Sequence, residues 1–179
     1  EVIVSSTGVI GEQLPIKRIL QTLTKLSNKE VEKKKLDWNG FAKSIMTTDT
    51  FPKGVYKKTR IGNKEVKLIG IAKGSGMIAP NMATMLGFIF IDLEIPQKIL
   101  QALLKQLNAK SFNRISVDGD ESTNDTVILA SSNKIKLKNK INSINDKRIN
   151  SLRISLYKVF SSLSEQIVRD GEGATKLIK

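Results

Sequence analysis

Apolar residues in this chain switch between two spacings, and each switch marks an element. Ile16, Ile19, Leu20 and Leu23 follow Leu14-Pro15 at intervals of three and four, the spacing of one helix face. Trp38, Phe41 and Ile45 repeat that spacing behind Asp37, a residue type suited to capping a helix start. Thr47-Thr48-Asp49-Thr50 should end this second helix, and Phe51-Pro52 prevents its continuation. Ile99, Leu100, Leu103, Leu104 and Leu107 predict a third helix, opened by Pro96 and ending near Asn108. Leu152, Leu156, Val159, Phe160, Leu163 and Ile167 predict a long fourth helix over about 148–168, with Gly171 just past its end. Residues 54–61 and 64–72 flank Gly62-Asn63 and read as a β-hairpin. Residues 86–91 form an apolar run, a short buried strand. Shorter strands are expected at 1–5, 115–117 and 127–130, with another beginning at 174, while 28–35 and 131–145 read as polar connections. Irregular alternation of strands and helices predicts an α+β domain of mixed sheets layered with helices.

Composition narrows the chemistry. The 179 residues suffice for one domain with a core or two small lobes, and contain neither cysteine nor histidine. Disulfides, thiolate catalysis, Ser-His-Asp and Cys-His arrangements and His-ligated zinc are therefore excluded within this chain. A nucleophile here needs an amine or a carboxylate as its base, as in Ser-Lys pairs or a threonine using its own α-amino group. The formal charge of +13 raises the question of nucleic acid. Its lysines are spread over 33–35, 57–58 and 134–140 with few aromatics between them, which predicts solvated faces and no nucleic-acid partner. No apolar run reaches bilayer-spanning length and no signal-peptide pattern opens the chain, so neither a membrane partner nor export is expected.

The candidate nucleophile lies in Lys73-Gly74-Ser75-Gly76-Met77-Ile78-Ala79-Pro80-Asn81-Met82-Ala83-Thr84-Met85-Leu86-Gly87. Glycines and a proline constrain a loop that leads, through small Ala83 and then Thr84, into the apolar strand. A hydroxyl at such a junction is held still with one side open, so Thr84 reads as a nucleophile and as a residue that becomes a chain N-terminus. Its freed amine would have an unperturbed pKa of ~7.7–8, close to working pH. Lys73 enters the same loop, and Ser6-Thr7-Gly8-Val9-Ile10-Gly11 forms a tight turn whose amides can face an anion. The acid-rich 118–126 stretch suggests a metal loop, but it lacks the spacing of a calcium loop, and no metal is expected.

Five further blocks accompany the Thr84 segment: Ser6-Thr7-Gly8-Val9-Ile10-Gly11, Met46-Thr47-Thr48-Asp49-Thr50, Val117-Asp118-Gly119, Ser122-Thr123-Asn124-Asp125-Thr126, and Asp170-Gly171-Glu172-Gly173-Ala174-Thr175-Lys176. In this order they resemble the ornithine acetyltransferase (glutamate N-acetyltransferase) family of arginine biosynthesis, almost from end to end. That resemblance implies an α-β-β-α sandwich with mixed sheets flanked by helices. It implies self-cleavage between Ala83 and Thr84, with 1–83 the C-terminal part of an alpha-subunit region and 84–179 the N-terminal part of a beta-subunit region. The two parts together would make one incomplete catalytic domain. Family members are roughly twice this length, and their remaining C-terminal portion supplies an asparagine and a Ser or Thr to the substrate site.

Carried onto this sequence, the resemblance makes Thr84 the nucleophile, Thr7 and Gly8 the oxyanion hole, and Thr47, Lys73, Thr84 and Glu172 the substrate-binding residues. The implied reaction is ping-pong transfer of acetyl from N-acetylornithine to glutamate through an acetyl-Thr84 ester. No cofactor is implied, although some members accept acetyl-CoA as a substrate. The implied assembly is a cytoplasmic heterotetramer of two cleaved alpha/beta pairs. Two alternatives share these residues: a self-processing N-terminal-nucleophile peptidase, and an inactive fragment of the family fold.

Overall fold

The computed structural model describes residues 3–7, 11–27, 37–79, 85–120, 122 and 124–178. In chain order these hold helices α1 (Ile16–Ser27) and α2 (Trp38–Ser44), then strands β1 (Lys53–Ile61), β2 (Lys64–Lys73) and β3 (Leu86–Leu93). Helix α3 (Gln97–Asn108), strand β4 (Thr126–Ile135) and helix α4 (Lys147–Arg169) complete them. The hairpin forms as its alternation predicts, in register from Lys53↔Ala72 to Ile61↔Lys64. Gly62 turns it at φ 59°, a left-handed conformation that glycine adopts without a Cβ clash. β2 pairs antiparallel with β3, β3 pairs parallel with β4, and the sheet order is β1-β2-β3-β4. A parallel pair cannot be joined by a tight turn, and α3 lies in the crossover.

Each face of the sheet is set by the period-two alternation of its strands. Val66 and Leu68 of β2 and Ile89 and Ile91 of β3 join Leu103 of α3 and Leu156, Val159, Phe160 and Leu163 of α4 in one core. Burying each of these side chains is worth roughly 1.5–3 kcal/mol. Gly70 lets α4 close onto the sheet, since a Cβ there would lie 2.6 Å from Val159 Cγ1. On the opposite face, Trp38 meets Phe90 and Phe41 meets Phe88 with ring centroids 5.5 and 5.4 Å apart. Asp37 caps α2 by accepting from the Gly40 N–H at 2.8 Å. Helix α1 forms where predicted but buries none of its residues among those described.

The α+β class stands. The described residues form one mixed sheet with helices on both faces, so the second β layer of an α-β-β-α sandwich is not among them. Three of the short strands are corrected. Among the described residues, 3–5 and 174–178 have no strand partner and carry no regular structure. Residues 112–114 make a 3-10 turn, and Val117 then gives its N–H to the Ile78 carbonyl without forming a ladder. β4 runs to Ile135, well past the expected 127–130. Its added residues are polar, but ladder pairing engages the backbone: Ser131 pairs with Ile91, and Ser131 Oγ donates to the Leu93 carbonyl at 2.5 Å. Within the connection read as exposed, Ile141 is buried in the core.

Candidate active site

The site is built on a buried ion cluster. Lys53, the first residue of β1, has no exposed surface, and a buried ammonium is tolerated only with partners. It has two: its Nζ lies 2.6 Å from Asp49 Oδ1 and 2.5 Å from Asp170 Oδ2. Asp49 also accepts the N–H of Gly74 at 2.7 Å and of Thr47 at 3.1 Å. Asp170 accepts both the N–H and the hydroxyl of Thr50. Burial pushes both carboxyls up, but these N–H groups and the Lys53 ammonium outweigh it and hold them below the usual carboxylate value. The cluster therefore ties three segments together: the hydroxyl-rich turn after α2, the glycine loop after β2, and the end of α4.

A cleft of about 370 Å³ opens beside that cluster, lined among others by Thr7, Thr47, Thr48, Lys73, Ser75 and Glu172. Lys73 is buried at the end of β2 and donates from Nζ to Thr47 Oγ1 at 3.2 Å. Burial depresses its pKa, Lys53 adds to the depression, and the Asp49 and Asp125 carboxyls oppose it. Thr48 and Ser75 share a hydrogen bond of 2.6 Å, and Glu172 donates its N–H to the Ser75 carbonyl at 2.7 Å. A Cβ on Gly76 would lie 2.7 Å from Glu172 Oε2, so this carboxylate fills the space a side chain would take. Asp118 also lines the cleft and shapes its loop by accepting the N–H groups of Met77, at 2.5 Å, and Ile78, at 2.9 Å. Met77 sits at φ 51°, uncommon for a residue with a Cβ. Lys73 and Glu172 on one small cleft, with Asp118 engaged by backbone N–H groups, suit a ligand carrying both charges, as an amino acid does.

Four of the residues singled out from sequence, Thr7, Thr47, Lys73 and Glu172, line this one cleft from distant parts of the chain. Gly8, Ala83 and Thr84 lie outside the described residues. Met85, the residue after Thr84, is buried and gives its N–H to Asp125 Oδ1 at 2.7 Å, and Leu86 stands opposite Lys73 in the ladder. Burial raises the Asp125 carboxyl to about 7, against the Met85 N–H and the Lys73 charge, which both favour its ionised form.

Sequence reasoning missed Lys53, Asp170 and Asp125 as parts of the site. The available signal for the first was a lysine four residues after Asp49 at the start of an alternating strand. The acid loop read for metal spends Asp118 and Asp125 on backbone N–H groups. Among the described residues no group of three or more His, Cys, Asp or Glu is placed to hold a metal ion. A larger cleft of about 620 Å³, lined by Lys110, Arg114, Arg153 and Lys158, contains none of the candidate residues.

The ArgJ family model matches residues 1–179. The chain belongs to the ArgJ family. It is 46% identical over 182 residues to the arginine biosynthesis bifunctional protein ArgJ of Zymomonas mobilis, covering 99% of this chain and 42% of that protein. With the protein of the same name from Lactococcus lactis it shares 46% over 179 residues, 100% of this chain and 43% of the relative. The Neisseria meningitidis serogroup A protein is 44% identical, over 99% and 42%. The chain thus spans about two fifths of the length of the curated relatives it matches. In shape it has a weak likeness to the PH0078 protein from Pyrococcus horikoshii OT3, with a TM-score of 0.46 at 12% identity over 72% of this chain and 43% of that one, too slight to bear on function. Among the described residues no helix is long and apolar enough to cross a membrane.

Proposed function

We propose that this chain is the central part of a glutamate N-acetyltransferase that moves acetyl from N-acetylornithine to glutamate through an ester on Thr84. The observation that carries the reading is the meeting of Thr7, Thr47, Lys73 and Glu172 in one cleft, with the head of β3 opposite Lys73. In this reading the chain first cleaves itself between Ala83 and Thr84, giving residues 1–83 and 84–179. Six β2–β3 register pairs join the two parts across the break, so cleavage need not separate them.

The freed Thr84 amine takes the proton from the Thr84 hydroxyl as its oxygen attacks the acetyl carbonyl. Thr7 and Gly8 donate to the oxyanion that forms, a role whose loss typically costs about 10²–10³ in kcat. The amine returns the proton to the nitrogen leaving as ornithine. Glutamate's α-amine then attacks the ester, and N-acetylglutamate departs with the Thr84 hydroxyl restored. Lys73 receives the substrate carboxylate as a point charge, Thr47 holds the Lys73 ammonium, and Glu172 receives the ornithine ammonium. Acetyl-CoA serves as an alternative donor if the enzyme is bifunctional, as its relatives' names state for them. The working assembly in this proposal is a cytoplasmic heterotetramer of two cleaved pairs, with the rest of the pocket supplied by sequence beyond these residues.

Mass spectrometry of the protein at the length of its relatives tests the reading. It should split at Ala83–Thr84 and carry acetyl on Thr84 after incubation with acetylornithine, while Thr84→Ala stays whole and inactive. Transfer that survives in Thr84→Ala would overturn it.

A further inference from the structure

Both backbone groups of Met85 are claimed by consecutive residues of one neighbouring segment. Its N–H donates to Asp125 Oδ1 at 2.7 Å, and its carbonyl accepts the Thr126 N–H at 3.1 Å. Thr126 is the first residue of β4, paired with Leu86, so the entry of the chain into β3 is pinned from that side. On the other side, Lys73 of β2 pairs with Leu86. Asp125 Oδ2 is buried and has no hydrogen-bond partner among the described residues. An unsatisfied buried oxygen typically costs about 1–3 kcal/mol and calls for an explanation. Anchoring one amide does not supply it, because an asparagine carbonyl would accept the same N–H without an ionisable oxygen.

We propose that Asp125 is a positioning residue for acetyl transfer: it fixes the Met85 amide, and with it the residue before Met85, while its second oxygen stays buried without a hydrogen-bond partner among the described residues. This rests on the reading of Thr84 as nucleophile. Asp125 then has two separable effects. The hydrogen bond sets geometry, and ionisation supports the protonated state of Lys73, the charged side chain that acts on Asp125 among the described residues. Burial favours the neutral carboxyl, so its charge is exchanged near neutral pH and not far below it.

The test uses the protein at the length of its relatives, with Asp125→Ala and Asp125→Asn compared with the unaltered enzyme. Asp125→Ala should lower kcat by at least about tenfold, the loss expected of misplaced reacting groups, with KM for acetylornithine changed less than about threefold. Asp125→Asn keeps an acceptor for Met85 and should match the unaltered kcat below about pH 6, where Asp125 is itself uncharged, and fall behind it above about pH 7, where only the unaltered enzyme has the charge that supports Lys73. The proposal fails if Asp125→Ala has unaltered kcat, or if the ratio of kcat/KM for Asp125→Asn to that of the unaltered enzyme, in which the shared Thr84 amine cancels, does not change between pH 6 and 8. Should Asp125→Ala fail to fold, the Asp125→Asn profile alone decides. Failure of the underlying reading looks different, because the unaltered protein would then show no acetyl on Thr84.

Discussion

Replacing Lys53 by methionine tests the physical basis of the site most directly. The substitution keeps most of the side-chain volume and removes the charge. At an effective dielectric near 20, each contact of about 2.5 Å represents ~6 kcal/mol of gross Coulomb attraction. Desolvation of three buried groups offsets most of it, and removing one partner of such a cluster costs about 3–5 kcal/mol because the carboxylates stay buried without a cation. Here two carboxylates, Asp49 and Asp170, would be left on one site. The sign of the pH dependence follows. In the unaltered protein both folded-state pKa values lie below the usual value, so their contribution is present above about 4 and is lost as pH falls through the folded values. In Lys53→Met the folded values rise above the unfolded ones, and the protein should regain stability as pH falls from 8 toward about 5. Urea denaturation across that range measures both effects. A loss under about 1 kcal/mol at pH 8, or one that does not shrink on acidification, would refute the reasoning.

Three further outcomes are expected. Asp125 has a folded-state pKa raised to about 7, so its contribution to stability is fully present below the unfolded value near 4 and is lost as pH rises through 7. Urea midpoints should fall over pH 5–7 for the unaltered protein and level off above about 7, and fall less steeply for Asp125→Asn. Gly76→Ala places a methyl 2.7 Å from Glu172 Oε2, the mobile end of a side chain. Glu172 should swing aside, raising KM for acetylornithine by about tenfold with the melting temperature little changed, as steady-state kinetics and a thermal melt would show. Gly70→Ala instead meets Val159 and Leu163 of the core at 2.6 and 2.8 Å, and overpacking should cost about 1–3 kcal/mol by urea denaturation.

Much of the scaffold could be read from side-chain spacing. The hairpin, the core strand and the four helices follow from periods of two and three to four, because those periods decide which residues share a face. The Asp37 cap follows from side-chain chemistry within a few residues, and the long helix ends at Arg169, two residues before Gly171, as expected. Errors arose where local pattern had no authority. Residues 3–5 and 174–178 are apolar enough for strands, but a strand exists only where another backbone pairs with it. Ser131 and its followers look like a loop, yet β3 extends far enough to pair with them.

For the site, sequence alone identified side chains with the right chemistry, and the absence of histidine and cysteine removed the competing nucleophile systems. It could not say which acids serve as anchors, because Asp49, Asp118, Asp125 and Asp170 are alike as letters. Folding decided that. It brought Asp170 to Lys53 across 117 positions and Asp125 to Met85 across 40, and in so doing removed these charges from water. Burial and partner geometry belong to the assembled chain, and they set whether a carboxyl stays ionised, takes a proton near neutrality, or holds an amide in place.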